Sequence, residues 1–318
     1  MDSQSGVGRG VAVAATDHAA SRQYTECVAS LGTILTAAVT PFDDDRSVDE
    51  EGFVAVLHHL HAHGSDGVVA CGTTGEAATL TDEEHMRVVE LAVNERPDGM
   101  TVVAGAGSND TRHAVRLTER ATELGADAIL SVTPYYNRPN RRGIVRHFEE
   151  VAKATHKPIV LYNIPQRTGV NMPPDLLAEL AQIDGISAVK QANNAELAPI
   201  DGLDVYAGND EILGRVLDMG GAGGILTSSH IVGDRMRRMV DEPSERDEIV
   251  QSLSDVFATM AILPAAIANK AALNLLGLPG GTVRLPYVEP TEDELEALRG
   301  MLERNGLLTA THRGAIGR

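Results

Sequence analysis

The sequence predicts an α/β protein, a (β/α)8 TIM barrel with a helical appendage at its carboxyl end. Three observations carry that prediction. Eight apolar, β-branched runs alternate with amphipathic stretches between residues 33 and 229. The runs are continuously apolar, as in parallel strands covered on both faces. After the eighth run, residues 231 to 310 hold several helical patterns and no further clear strand. Eight strand and helix units point to a closed barrel more than to an open sheet. The competing doubly wound sheet lacks its G-x-G-x-x-G turn after the first run, and GAGSND after the third is only a weak likeness.

In chain order the strand candidates are TILTAAVTPF (33–42), DGVVACG (66–72), MTVVAGAG (100–107), ADAILSVTP (126–134), PIVLYNIP (158–165), GISAVKQA (185–192), LDVYAGND (203–210) and GGILTSS (223–229). Helices begin where capping chemistry allows. TDEE at 81–84 is a capping box, in which Thr81 and Glu84 satisfy each other's free amides, and MPPD at 172–175 places prolines at a helix entry. The appendage is carried by LSDVFATMAILPAAIANKAALNLLG and TEDELEALRGMLERNGLL, with no linker to set it apart. Residues 1–30 are rich in small side chains, and their one apolar run, VAVAA, is shorter than the roughly 7–15 residues of a signal-peptide core. They read as a mobile extension or an over-long start. The expected layout is therefore an extension over 1–30, a barrel over 31–230 and a packed helical region over 231–318.

Composition narrows the function. The 318 residues are 43% hydrophobic and 23% charged, as in a globular protein with a large core. No run approaches the roughly 18 apolar residues of a membrane span. A formal charge of −18 argues against nucleic acid, which needs a concentrated cationic surface. It also requires that any anionic substrate be captured by local arginines. Cys27 and Cys71 are too few and too unpatterned for a disulfide framework or a zinc site, which fits a reducing cytoplasm.

In such a barrel chemistry sits at the carboxyl ends of the strands. By the period-two rule Ile186, Ala188 and Lys190 share one face of the sixth strand, so a charge falls on an otherwise apolar face. A lysine there either ends the strand and reaches for water, or is a desolvated amine with a lowered pKa that attacks a carbonyl to form a Schiff base. The same rim receives Thr73 and Thr74 after strand two, Tyr135 and Tyr136 after strand four, Tyr162 within strand five and Arg167 just beyond it. Singly each is an ordinary turn, packing or surface residue; together they supply a Schiff-base lyase. Lys190 is the nucleophile, Tyr162 a proton-relaying phenol, Thr74 a hydroxyl linking Tyr162 to a further group, and Arg167 a fork for a carboxylate. The glycines of CGTTGE allow backbone amides close to a second carboxylate. HHLHAHG puts His58, His59, His61 and His63 at the bottom of the barrel, away from the rim, as a solvated face rather than a metal site.

GTTGE, TPYYNRP and YNIPQRTG followed by AVKQA resemble the dihydrodipicolinate synthase family, of the pyruvate-dependent Schiff-base aldolases, over about residues 31–308. The resemblance implies that Lys190 forms the imine with pyruvate, that Tyr162 relays protons with Thr74, and that Tyr136 is lent across a tight dimer to complete a neighbour's relay. It further implies that Arg167 binds the carboxylate of aspartate semialdehyde, and that Thr73 and Ile225 line the pyruvate site. No organic cofactor or metal is implied, and the expected assembly is a homotetramer of two tight dimers in the cytoplasm. Gln191, Asn209 and His230 depart from the family's more usual residues and bear on the second substrate. At the family's lysine feedback site the acid position is His113 and a companion histidine position is Asp82, while His85, Asn109 and Tyr135 match. Weak or absent inhibition by lysine is the expectation. The alternatives are another Schiff-base aldolase or dehydratase, acting on a sugar acid or hydroxy-oxo-acid, and a non-catalytic binder that keeps the fold.

Overall fold

The structure is a computed structural model that describes residues 30–308. The extension up to residue 29 and the last ten residues of the expected helical region lie outside the described residues. The barrel begins with β1 (Ile34–Ala37), α1 (Glu50–Ala62), β2 (Gly67–Ala70), α2 (Asp82–Glu95), β3 (Thr101–Gly105), α3 (Thr111–Glu123), β4 (Ala128–Val132) and α4 (Arg141–Lys153). It continues through β5 (Ile159–Asn163), the single turn α5 (Pro165–Thr168), α6 (Pro174–Leu180), β6 (Ile186–Gln191), β7 (Asp204–Ala207), α7 (Leu213–Asp218), β8 (Gly223–Leu226) and α8 (Ser229–Asp241). All eight strands pair in parallel with their sequence neighbours, and β8 closes on β1. Each expected strand is present, trimmed by one or more residues.

Local chemistry places the helix starts. Asp49, Asp110 and Asn140 cap α1, α3 and α4 through their side chains, and the Thr81 and Glu84 capping box of α2 is formed. Pro173 and Pro174 open α6, where a missing N–H costs nothing. Strand residues divide between an outer cluster beneath the helices and an interior one that includes Leu35, Val69, Val160, Ala188 and Ile225. The alternation in β6 holds only from Ala188 onward. The pairing with β5 slips between Ile159↔Ile186 and Val160↔Ala188, so Ile186 joins Val189 in the outer cluster.

The appendage consists of α9 (Arg246–Met260), α10 (Ala265–Leu275) and α11 (Glu292–Arg304). Leu253, Val256, Ala272, Leu298 and Met301 form its core together with Met236 and Met239 of α8. The expected boundary at 230/231 falls inside α8, which packs on β1 and α1 and completes the helix ring. Barrel and appendage share one hydrophobic cluster, and no composition change marks their junction. Among the described residues no single helix is long and apolar enough to cross a membrane; the one bent pair that passes on composition, Pro243–Met260 with Ala265–Leu275, buries its apolar face in this cluster.

Candidate active site

Strand register delivers two of the key side chains side by side. Tyr162 on β5 and Lys190 on β6 are paired residues, both pointing inward, and the Lys190 ammonium lies 4.4 Å from the Tyr162 ring centre. Lys190 is only 5% exposed, and burial pulls its pKa down to about 8, against an upward pull from Asp210 and a further lowering by Arg167. Burial pushes the Tyr162 phenol up to about 12, while Arg167 and a hydrogen bond with Thr73 draw it back.

Both side chains open into a cavity of about 290 Å³ at the carboxyl ends of the strands. Thr73, Thr74, Arg167 and Asp210 contribute its polar wall, and Phe257 and Met260 of α9 its apolar lid. Asp210 is held tightly. Its carboxylate accepts from the backbone N–H and hydroxyl of Thr227 and from the N–H and hydroxyl of Ser228, at 2.9 to 3.2 Å. An amine with a lowered pKa, a phenol, two hydroxyls and a guanidinium thus face one space large enough for a small carboxylic acid.

Both expected threonines reach the cavity wall. The Thr73 hydroxyl is close enough to draw on the Tyr162 phenol, and Thr74 is buried in the same wall. The loop that carries them leaves β2 through a left-handed turn at Cys71 (φ 55°). Ile225 is fully buried in the interior cluster of the barrel and is not among the residues lining the cavity. Tyr136 does not join the site within one chain. It is 88% exposed, sits at φ 68°, and lines neither cavity described here.

Of the three departures, only Asn209 reaches the cavity wall, where its amide donates to the Ala192 carbonyl and the Asn194 side chain. Gln191 alternates with Lys190 and faces away. Its carbonyl accepts from the Asn163 amide and the Asn193 N–H, tying the end of β5 to the loop that follows β6. His230 is fully buried, donates from Nδ1 to the Thr227 carbonyl and accepts at Nε2 from the Val39 N–H. Burial brings it down to about 4, so it is a neutral brace between β8 and β1. Of the expected solvated histidines, His59 donates to the His230 carbonyl near the start of α8 and is half-buried, and His63 pairs with Asp234. Among the described residues no three His, Cys, Asp or Glu side chains are grouped to hold a metal ion.

A second cavity, of about 470 Å³, adjoins the first across Thr73, Tyr162 and Arg167. Asp82, His85, His113 and Tyr135 line it. His113 Nε2 lies 2.9 Å from the Asp82 carboxylate, and His85 Nε2 donates to the Gly105 carbonyl at 2.7 Å.

Fold and cavity together define a class, the (β/α)8 barrel enzymes, whose chemistry sits at the carboxyl rim. The model of the dihydrodipicolinate synthetase family matches residues 30–305. A 4-hydroxy-tetrahydrodipicolinate synthase of Heliobacterium modesticaldum is 41% identical over 289 residues, covering 87% of this chain and 96% of that protein. The lysine-bound dihydrodipicolinate synthase of Cyanidioschyzon merolae superposes with a TM-score of 0.83 at 35% identity, covering 87% of this chain and 99% of its own. A monomeric dihydrodipicolinate synthase variant superposes with a TM-score of 0.82 at 29% identity, covering 88% and 99%. The chain belongs to the dihydrodipicolinate synthetase family.

Proposed function

We propose that the protein is a lyase that condenses pyruvate with L-aspartate 4-semialdehyde to 4-hydroxy-tetrahydrodipicolinate, on the route to lysine and diaminopimelate, through an imine on Lys190. The observation that carries the reading is the buried Lys190 amine, lowered to about 8, beside the Tyr162 phenol in a cavity that also holds Arg167. A fall from 10.5 to about 8 raises the neutral, nucleophilic fraction at pH 7 from about 0.03% to about 10%.

The neutral amine attacks the keto carbon of pyruvate, and Tyr162, assisted by the neighbouring Thr73 hydroxyl, passes protons to the departing hydroxyl so that water leaves. Loss of a methyl proton converts the imine to an enamine. Its carbon attacks the aldehyde, and the amino group of the second substrate then attacks the imine carbon and frees Lys190. No cofactor or metal enters this sequence, because the imine itself accepts the electron pair. Thr74 and the close-packed backbone of the CGTTGE loop meet the pyruvate carboxylate, and Arg167 meets that of the semialdehyde. Tyr136, exposed on a left-handed turn, extends the relay of a second copy in a dimer, and two such dimers make the working tetramer. Its partners are small molecules rather than nucleic acid or membrane, and its place is the cytoplasm.

The first test is NADPH oxidation coupled through dihydrodipicolinate reductase, with pyruvate and aspartate semialdehyde supplied. Pyruvate-dependent turnover that Lys190→Ala abolishes is expected. Replacing Arg167 by Ala should raise KM for the semialdehyde far more than for pyruvate. Borohydride trapping of pyruvate without any condensation would point instead to another aldehyde substrate. A protein that traps no pyruvate would sink the imine.

A further inference from the structure

We infer that Glu76 and Lys270 are positioning residues for this reaction: the appendage reaches the barrel rim and fixes the loop that carries Thr73 and Thr74. The inference rests on the function proposed above. In the six residues from Cys71 to Glu76 the loop contains two non-glycine left-handed positions, Cys71 at φ 55° and Glu76 at φ 54°. Such conformations persist where the surroundings over-determine them. Here the surroundings come from the far end of the sequence. One Glu76 oxygen accepts from the Lys270 ammonium of α10, and the other accepts from the Arg284 backbone N–H at 3.1 Å. Lys270 also donates to the Thr282 carbonyl at 2.7 Å, and its charge sits 4.1 Å from the centre of the Phe42 ring.

Both members of the pair are almost wholly buried, Lys270 at 1% and Glu76 at 2% exposure. A buried ion pair adds little net stability over apolar side chains of the same size. Adhesion between appendage and barrel needs no such pair, since apolar contacts supply it. What the pair adds is direction, because a carboxylate held by two donors from separate segments has one place to be. That place is transmitted along the loop. The Glu76 N–H donates to the Thr73 carbonyl at 3.2 Å, and Thr73 lines the cavity together with Tyr162 and Lys190. On the other side Thr40 donates to the Gly75 carbonyl at 2.9 Å. The loop is thus pinned at both of its last two residues, and the Thr73 hydroxyl at the cavity wall hangs from it.

The test is a mutant cycle in the full chain between the double variant Glu76→Gln/Lys270→Met and Thr73→Val. The double variant removes both charges and keeps an acceptor for the Arg284 N–H. It is expected to melt within a few degrees of the parent and to trap pyruvate on Lys190 with borohydride, while kcat falls at least tenfold. Adding Thr73→Val should then bring kcat to the level of Thr73→Val alone and no lower, since the pair acts through Thr73. A kcat within twofold of the parent overturns the inference, and so do losses that multiply, because a role in folding alone would not couple to one hydroxyl. If the double variant does not fold, Lys270→Arg keeps the charge, changes its reach and enters the same cycle. A parent protein that condenses nothing overturns the reading of function and this with it; multiplying losses in an active enzyme overturn this alone.

Discussion

Lys190 on a barrel strand and Lys270 in the appendage are both buried, at 5% and 1% exposure. Each holds its ammonium over an aromatic ring, Tyr162 at 4.4 Å and Phe42 at 4.1 Å, and burial draws both down to about 8. They differ in company. Lys270 gives its protons to the Glu76 carboxylate and the Thr282 carbonyl and is closed in by Arg284. Lys190 has no ion pair among the described residues, its influencing carboxylate, Asp210, being engaged by Thr227 and Ser228, and it borders an open cavity. A lowered pKa is therefore common to a nucleophile and a brace; access and the absence of a bonded counter-charge set the nucleophile apart.

The sharpest way to break this comparison is to remove each amine in turn. Lys190→Met should abolish the borohydride adduct, cut turnover by at least about 10⁴-fold and leave the melting temperature equal or higher, since a desolvated amine has gone. Lys270→Met should keep the adduct. It should lower stability by about 3–5 kcal/mol, because Glu76 is left as a buried carboxylate without its cation. Adduct mass and thermal melts of the two variants read both arms; equal behaviour would dissolve the distinction.

Within the site itself, Thr73 and Thr74 provide the next contrast. Thr73→Val removes the hydroxyl that draws on the Tyr162 phenol and should lower kcat by roughly 10²–10⁴-fold, the range of a general acid–base group. Thr74→Val should act mainly on KM for pyruvate. The reverse pattern in steady-state kinetics would give the relay role to Thr74, as the family resemblance implies.

Smaller, and dependent on sign, is the effect of pH. A protonated amine has no lone pair, so kcat/KM for pyruvate should rise with pH on a limb centred near 8, by about tenfold per unit below it. Asp210 raises the Lys190 pKa by its charge, so Asp210→Asn should move the limb to lower pH. A limb that stays in place, or moves upward, would remove Asp210 from the electrostatics of the amine.

The sequence made the architecture legible because its signals are local. Eight apolar runs, the Thr81 capping box and the paired prolines 173 and 174 each act within a few residues. Lys190 and Tyr162 stood out for the same reason, as polar groups on apolar strands. What stayed hidden depends on backbone direction or on long-range partners. Adjacency in GTTGE does not say which of Thr73 and Thr74 serves Tyr162, because that depends on the path of the loop after the left-handed turn at Cys71. Gln191 reads as a site residue by adjacency to Lys190, yet strand alternation turns it outward. The Glu76 and Lys270 pair spans 194 positions. Its one trace in the sequence is a lysine inside the apolar helix AIANKAALNLL, the same kind of signal that marked Lys190.

The two cavities extend the comparison to regulation, where the smallest effect is expected. The second cavity has two carboxylates on its wall, Glu76 and Asp82. Glu76 is bound to Lys270, and Asp82 lies 2.9 Å from the His113 imidazole, which stands where the family resemblance calls for an acid. A lysine effector entering here would find its ammonium facing an imidazole and the nearest free-standing acid already engaged. Added lysine should therefore change the rate less than about twofold, a coupling below the usual allosteric range. The swapped variant Asp82→His/His113→Glu returns the acid to position 113, and should confer inhibition on an enzyme whose parent lacks it. A parent inhibited along a saturating curve at low-millimolar lysine would mean that the exchanged pair still recognises the amino acid, with Asp82 rather than residue 113 meeting its amine.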